Sequence, residues 1–244
     1  MKDNYVVKTK ELIGKIKGVQ QKVRKYESQI NGLLEITADI PEPRHDCFHQ
    51  VLNHLQLTNE LLSFYYSIWS KPTTNTFTAE REEEIRQENI ERCIMISSWA
   101  FILSLSSIEY SAKASLDAYG NASPAANLAK AKGKAKYLYL SDIINNSKAT
   151  KLVDSNEYND WQNLIFLRNC IVHNNGKADC DKSFDIAGIR VEATADERMR
   201  VNIDHFAIFT EVSIDRYFSW VKALINSYGK FFFGAGVDFC IKFR

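Results

Sequence analysis

Near the start of the chain, Leu12, Ile16, Val19, Val23, Tyr26, Ile30 and Leu33 recur at alternating steps of four and three. That is a heptad seam, and it predicts one long N-terminal helix within residues 1–40. Its other face carries Lys8, Lys10, Lys15, Lys17, Lys22, Arg24 and Lys25. Such a seam packs along its own domain or forms a coiled coil with a partner, and the small number of heptads favours the first. The PEPR stretch ends this element. A second helix is expected from Asp46 to Trp69, followed by a KPTTNTFT loop, together filling 41–78. A third helical pattern begins near Ala79 with an acidic first turn, which suits the positive end of a helix dipole. It runs through the apolar stretch Cys93–Ile108 and ends near Gly120. Ser123 followed by Pro124 reads as a cap and first helical residue of another helix. Ser155 opens a helix that Gly176 stops. The period then changes to two: Ile189 and Val191 alternate against Met199, Val201 and Ile203 around TADE, predicting a small β-hairpin near 186–203. Asp204 is placed to cap a last helix carrying Phe206 to Leu224. The tail, 233–244, is aromatic and broken by glycine, and receives no assignment.

The expected architecture is therefore mainly α. It comprises a helical core over 79–232 with one small hairpin, preceded by a long N-terminal helical extension. The 244 residues, 45% hydrophobic and 25% charged, are ordinary globular values. A net charge of +1 does not announce a polyanion partner, so any such footprint must be local. The opening MKDNYVVKTK lacks the apolar stretch of a signal peptide. Cys93–Ile108 is shorter than the roughly 18–20 residues a membrane span needs and is laced with serine, so a buried helix is expected. The five cysteines form no C-x-x-C pair. They read as free thiols in a reducing cytoplasm, the expected location.

One local basic segment stands out. Lys130, Lys132, Lys134, Lys136, Lys148 and Lys151 have little acid to offset them, and Tyr137 and Tyr139 lie among them. This is a candidate RNA-binding patch, with a solvated lysine face as the plain alternative. His45, Cys47, His49 and His54 cluster in RHDCFHQVLNH, but no H-E-x-x-H or second cysteine pair accompanies them. A histidine-bearing helix explains them, and no metal or other cofactor is expected. No phosphate-cradling glycine loop or nucleophile elbow occurs.

The stretch LIFLRNCIVHNNGKAD, from Leu164 to Asp179, is the anomaly. At about 100° per residue, Trp161, Leu164, Ile165, Ile171 and Val172 share one side of a helix, with Arg168 near its centre. Asn169 and His173, four apart, share its edge. Cys170 is expected to face away from the apolar side. A guanidinium in an apolar stripe needs an anion, since an unpaired buried charge costs several kcal/mol. Glu109, at the end of the long uncharged run ISSWAFILSLSSIEYSA, is the best internal candidate. A register-fixing ion pair is the simple reading of the two.

The string RNxxxHNxG, Arg168 to Gly176, resembles the Arg-x(4–6)-His signature of HEPN domains (higher eukaryotes and prokaryotes nucleotide-binding). The upstream SSIEYSAKASL segment, the Trp-led motif helix, the hairpin and the following amphipathic helix agree with it. The resemblance covers roughly residues 79–225. It implies an all-helical bundle that forms a homodimer through its motif helices. Many members are metal-independent endoribonucleases of toxin–antitoxin, abortive-infection or other antiviral defence systems, and an antitoxin or defence partner protein is then implied. Others only bind nucleotides or RNA, or act as scaffolds. Position by position, Arg168, Asn169 and His173 fall on the signature, and Glu109 on the acidic position of the preceding core helix. The chemistry suits the residues. An imidazole works as acid or base near neutral pH, a guanidinium stabilises phosphorane oxygens, and the amide orients the imidazole or binds a phosphate oxygen. Metal-free cleavage by the 2′-hydroxyl would give a 2′,3′-cyclic phosphate and a 5′-hydroxyl.

Overall fold

The computed structural model describes residues 3–35, 42–71, 78–118 and 138–228. Among them are six helices: α1 (Asp3–Leu34), α2 (Pro43–Trp69), α3 (Ala79–Ala118), α4 (Leu140–Ala149), α5 (Ser155–His173) and α6 (His205–Tyr228). Two short strands, β1 (Lys182–Ile186) and β2 (Ile189–Ala193), lie between α5 and α6. The chain is mainly helical with one small antiparallel sheet. The helix expected at Ser123–Pro124, the lysines at 130, 132, 134 and 136, and the tail at 233–244 lie outside the described residues.

The seam of α1 is spent inside the chain. Leu12, Ile16, Val19, Val23 and Ile30 are each at most 3% exposed, in the same core as residues of α2, α3 and α6. The Tyr26 ring stacks on Phe218 of α6 with centroids 3.9 Å apart, and Phe48 of α2 packs against Tyr217 at 5.4 Å. Lys22 donates to Glu211 and Asp215 of α6, both at 2.7 Å, so the basic face of α1 finds acids one turn apart on its neighbour.

The second helix begins earlier than its apolar pattern suggested. Glu42 caps it by accepting from the Arg44 N–H at 3.1 Å, and Pro43 occupies the first turn, where its missing N–H costs nothing. The Arg44 guanidinium doubles back onto the same carboxylate, with Nε and Nη2 each at 2.7 Å, and both side chains are buried.

Helix α3 runs against α2 and α6, with Phe101 packed on Phe206 and Phe209. It is the one helix among the described residues long and apolar enough to cross a membrane, and 56% of its most apolar window is buried within the chain. Its remaining apolar face is exposed at Met95, Trp99, Leu103 and Tyr110.

The hairpin forms in a different register from the expected one. Phe184 pairs with Val191 and Ile186 with Ile189, around a turn at Ala187 and Gly188. Both turn residues have positive φ, 51° and 77°. A two-residue hairpin needs that left-handed pair, and glycine adopts it without steric cost. KSFDI is therefore the partner of IRVEA. Within TADE, Ala195 forms an isolated bridge with Ala178, and its N–H donates to the Asp181 carboxylate at 2.8 Å. The Phe184 ring packs edge-on against Phe166, which seats the sheet on α5.

Arg44→Met is expected to leave Glu42 buried and uncompensated, at a cost of about 3–5 kcal/mol. Urea unfolding followed by circular dichroism measures it; an unchanged midpoint would contradict the buried pair's role.

Candidate functional site

Helix α5 is anchored at both ends. Asp154 caps its start, its carboxylate accepting from Asn156 and Glu157 N–H at 2.8 Å each, while Glu157 reaches back to the Asp154 N–H. This capping box satisfies amides that the first turn would leave without partners. The helix ends at His173. Asn174 and Gly176 N–H both return to the Cys170 carbonyl, and Gly176 takes φ +82°. Along its length, Asp160 accepts from Arg216 of α6 at 2.6–2.8 Å. Tyr158 and Gln162 donate to Asn145 of α4, and the Lys148 ammonium lies 4.0 Å over the Tyr158 ring. A further tie holds α4 to α6: the Trp220 indole donates to Ser147 at 2.9 Å.

With α3, α4 and α5 held this way, an open pocket of about 150 Å³ forms between them. Leu105 and Glu109 come from α3, Tyr139, Leu140 and Ser141 from the start of α4, and Ile165, Arg168, Asn169 and His173 from α5. All four residues singled out for chemistry thus share one pocket, although Glu109 lies 59 positions before Arg168 in sequence (168 − 109).

The pairing of Arg168 is weaker than a core salt bridge. Its Nη2 stands 3.9 Å from Glu109 Oε2, and its Nη1 donates to Asn169 Oδ1 at 3.4 Å. Glu109 is already engaged by Lys113 at 2.7 Å, one turn along α3. The Arg168 side chain is 26% exposed and opens onto the pocket. Its charge is held in place without being fully satisfied. The exposed His173 ring has no hydrogen-bond or ion-pair partner among the described residues.

The helical wheel needs correction at three places. The buried stripe of α5 runs through Trp161, Leu164, Leu167 and Cys170. Arg168 therefore lies beside the stripe, not at its centre. Cys170, expected to face outward, is 1% exposed and packs with Ala178 and Ala193. Val172, expected inside, is 44% exposed. The reason is the hairpin, which covers the Cys170 side of the helix and shifts the buried arc by about one residue.

Tyr139 and Ser141 were not assigned to the site from sequence, although Tyr139 stood out as an aromatic in the basic segment. The RHDCFHQVLNH residues disperse. Cys47 is in the core, where burial raises its thiol pKa; His45 and His49 lie near Glu27; His54 shares a hydrogen bond with Ser107. No group of three potential metal ligands occurs among the described residues.

The chain matches no family model, no curated protein and no solved structure.

Because the Arg168–Glu109 contact is long, partly exposed and shared with Lys113, Arg168→Gln is expected to change stability by no more than about 1 kcal/mol. A fall several-fold larger in a denaturant melt would make Arg168 a structural residue.

Proposed function

We propose that the protein is a metal-independent endoribonuclease of the HEPN type, acting in the cytoplasm as a toxin or antiviral defence effector. The observation that carries this reading is the open pocket in which Arg168, Asn169 and His173 converge, with the guanidinium incompletely paired and the imidazole exposed. The RNxxxHNxG string supports the family assignment, and the mainly helical fold is compatible with it.

The size of the pocket narrows the substrate. Sites that enclose small molecules usually span about 300–1,000 Å³, and this one is smaller and open. It suits one phosphodiester of a chain that continues across the surface. In the proposed reaction the RNA 2′-oxygen attacks the adjacent phosphorus. The 2′-O–P bond forms, the P–O5′ bond breaks, and the 5′-oxygen leaves with a proton. His173 is the proton-transfer group. Arg168 stabilises the charge that builds on the non-bridging oxygens. Asn169 orients Arg168 through its amide oxygen, and Glu109 holds the guanidinium at the pocket wall. No step needs a metal or cofactor.

One chain supplies one histidine, whereas the reaction wants a base and an acid. A two-fold homodimer brings a second copy of the motif to the cleft. The exposed Met95, Trp99, Leu103 and Tyr110 on α3, with Val172 on α5, form the apolar surface for that contact. A non-catalytic HEPN-fold binding or scaffold module is the second reading. The approach of Glu109 to Arg168 favours it, because it gives the arginine a partner inside the chain.

With EDTA present, the wild type is expected to cleave single-stranded RNA to 2′,3′-cyclic phosphate and 5′-hydroxyl ends. His173→Ala is expected to slow this by about 10²–10⁴-fold. Gel assays with end-group analysis measure it; an inactive wild type or an equally active variant rejects catalysis.

The double change Trp99→Glu with Leu103→Glu is expected to convert a dimer to a monomer by light scattering and to lower cleavage at least in parallel. A variant that stays dimeric, or a fully active monomer, would remove the shared-site argument.

A further inference from the structure

The segment that leaves α5 pairs with the one that leads to α6. Ala178 N–H donates to the Glu197 carbonyl at 3.2 Å, and Met199 N–H to the Gly176 carbonyl at 3.0 Å. These two bonds bracket Lys177 and Arg198, which bridge as an antiparallel pair. The two residues thereby hold a non-hydrogen-bonded position, where facing Cα atoms stand about 4.5 Å apart and side chains come closest. Like charges set directly opposite one another are destabilising. Ala178 and Met199 pack inward in the Cys170 cluster, while their neighbours Lys177, Arg198 and Arg200 are all exposed. None of these three cationic side chains has an ion-pair or hydrogen-bond partner among the described residues, although Asp179, Asp196 and Glu197 are close in sequence. Elsewhere Lys15, Lys22 and Arg216 each reach a carboxylate on another helix or its cap.

We propose that Lys177 and Arg198, with Arg200 beside them, form a second phosphate-binding site that takes the backbone of the RNA strand held at Arg168 and His173. This rests on the phosphodiester reading of the pocket and adds a contact to the same strand beyond it. The backbone bonds hold two cations in register without an anion of their own, so an anion from outside relieves their repulsion. Arginine offers forked donors that match phosphate oxygens, and lysine adds a point charge. The pair begins four positions after His173, and four residues of chain span at most about 14 Å. One oligonucleotide can therefore reach both places. Contacts to the backbone carry no base information, so this site adds affinity for any sequence.

The test uses the full chain carrying His173→Ala, so that RNA stays intact, and follows the anisotropy of a labelled single-stranded oligoribonucleotide across a salt series. Adding Lys177→Gln with Arg198→Gln is expected to make the slope of log K against log salt shallower by about 1.4, two phosphate contacts at about 0.7 each on a single strand. The urea midpoint should stay unchanged or rise, because a repulsion is removed; a structural role would lower it. Lys177→Arg should bind as the parent does. An unchanged slope, a lowered midpoint or a parent that binds no RNA overturns the site. So does a poly-glutamate of equal charge that binds the parent as tightly and depends on the same two residues, since the partner would then be an acidic polypeptide. The cleavage reading is scored separately in the His173-intact chain. Cleavage with an unchanged slope removes the second site and keeps the nuclease. A shallower slope without cleavage keeps the site and removes the nuclease.

Discussion

The structure depends on the broad buried arc of α6. Thirteen of its 24 residues are buried, from Phe206 to Ile225, and together they cover more than half of the helix circumference, with Glu211, Asp215 and Lys222 on the remaining face. A helix of that kind cannot be half-covered by one neighbour. It takes the seam of α1 through Phe218, the centre of α3 through Phe206 and Phe209, α4 through Trp220 and α5 through Arg216. Each of these contacts sets the position of another helix, so elements far apart in sequence acquire one common frame.

The pocket is a consequence of that frame. Helices α3, α4 and α5 all lean on α6 or on one another, and the gap left between them is lined by Glu109, Tyr139 and Arg168. The polar residues there differ from those elsewhere in their degree of satisfaction. Arg44 is buried and chelated by Glu42 at hydrogen-bond distances, and Arg216 is held by Asp160. Arg168 has a carboxylate at 3.9 Å that Lys113 already shares. A fully matched arginine stabilises; one held in position with capacity left over is equipped to bind. The same contrast separates His54, hydrogen-bonded to Ser107, from the exposed His173.

Much of the helical framework was legible because its causes are local. The acidic first turn at Glu80 and Glu82, the Asp154–Glu157 box and the stop at Gly176 lie within a turn of the ends they define. The hairpin was misplaced by one strand. IRVEA has a plausible partner on either side, and the left-handed Ala187–Gly188 turn decides between them. The orientation of Cys170 was misread for a related reason. A wheel orders residues around a helix but does not say which arc the neighbouring sheet will cover. Arg168 and His173 were visible through their spacing on one helix. Tyr139 was visible only as an aromatic among lysines, because nothing in its local sequence says that α4 begins against α5.

By itself the sequence determined that the chain is helical, where most helices begin and end, and that an arginine, an amide and an imidazole occupy neighbouring turns of one helix. Periodicity and capping act over a few residues, and they suffice for that. Only the tertiary structure decided that the α1 seam is buried within the chain, that Glu109 approaches Arg168 without fully neutralising it, and that Tyr139, at the start of α4, lines the same pocket. These are distances between elements dozens of residues apart. They follow from how side-chain volumes fill the space around α6, which no local pattern encodes.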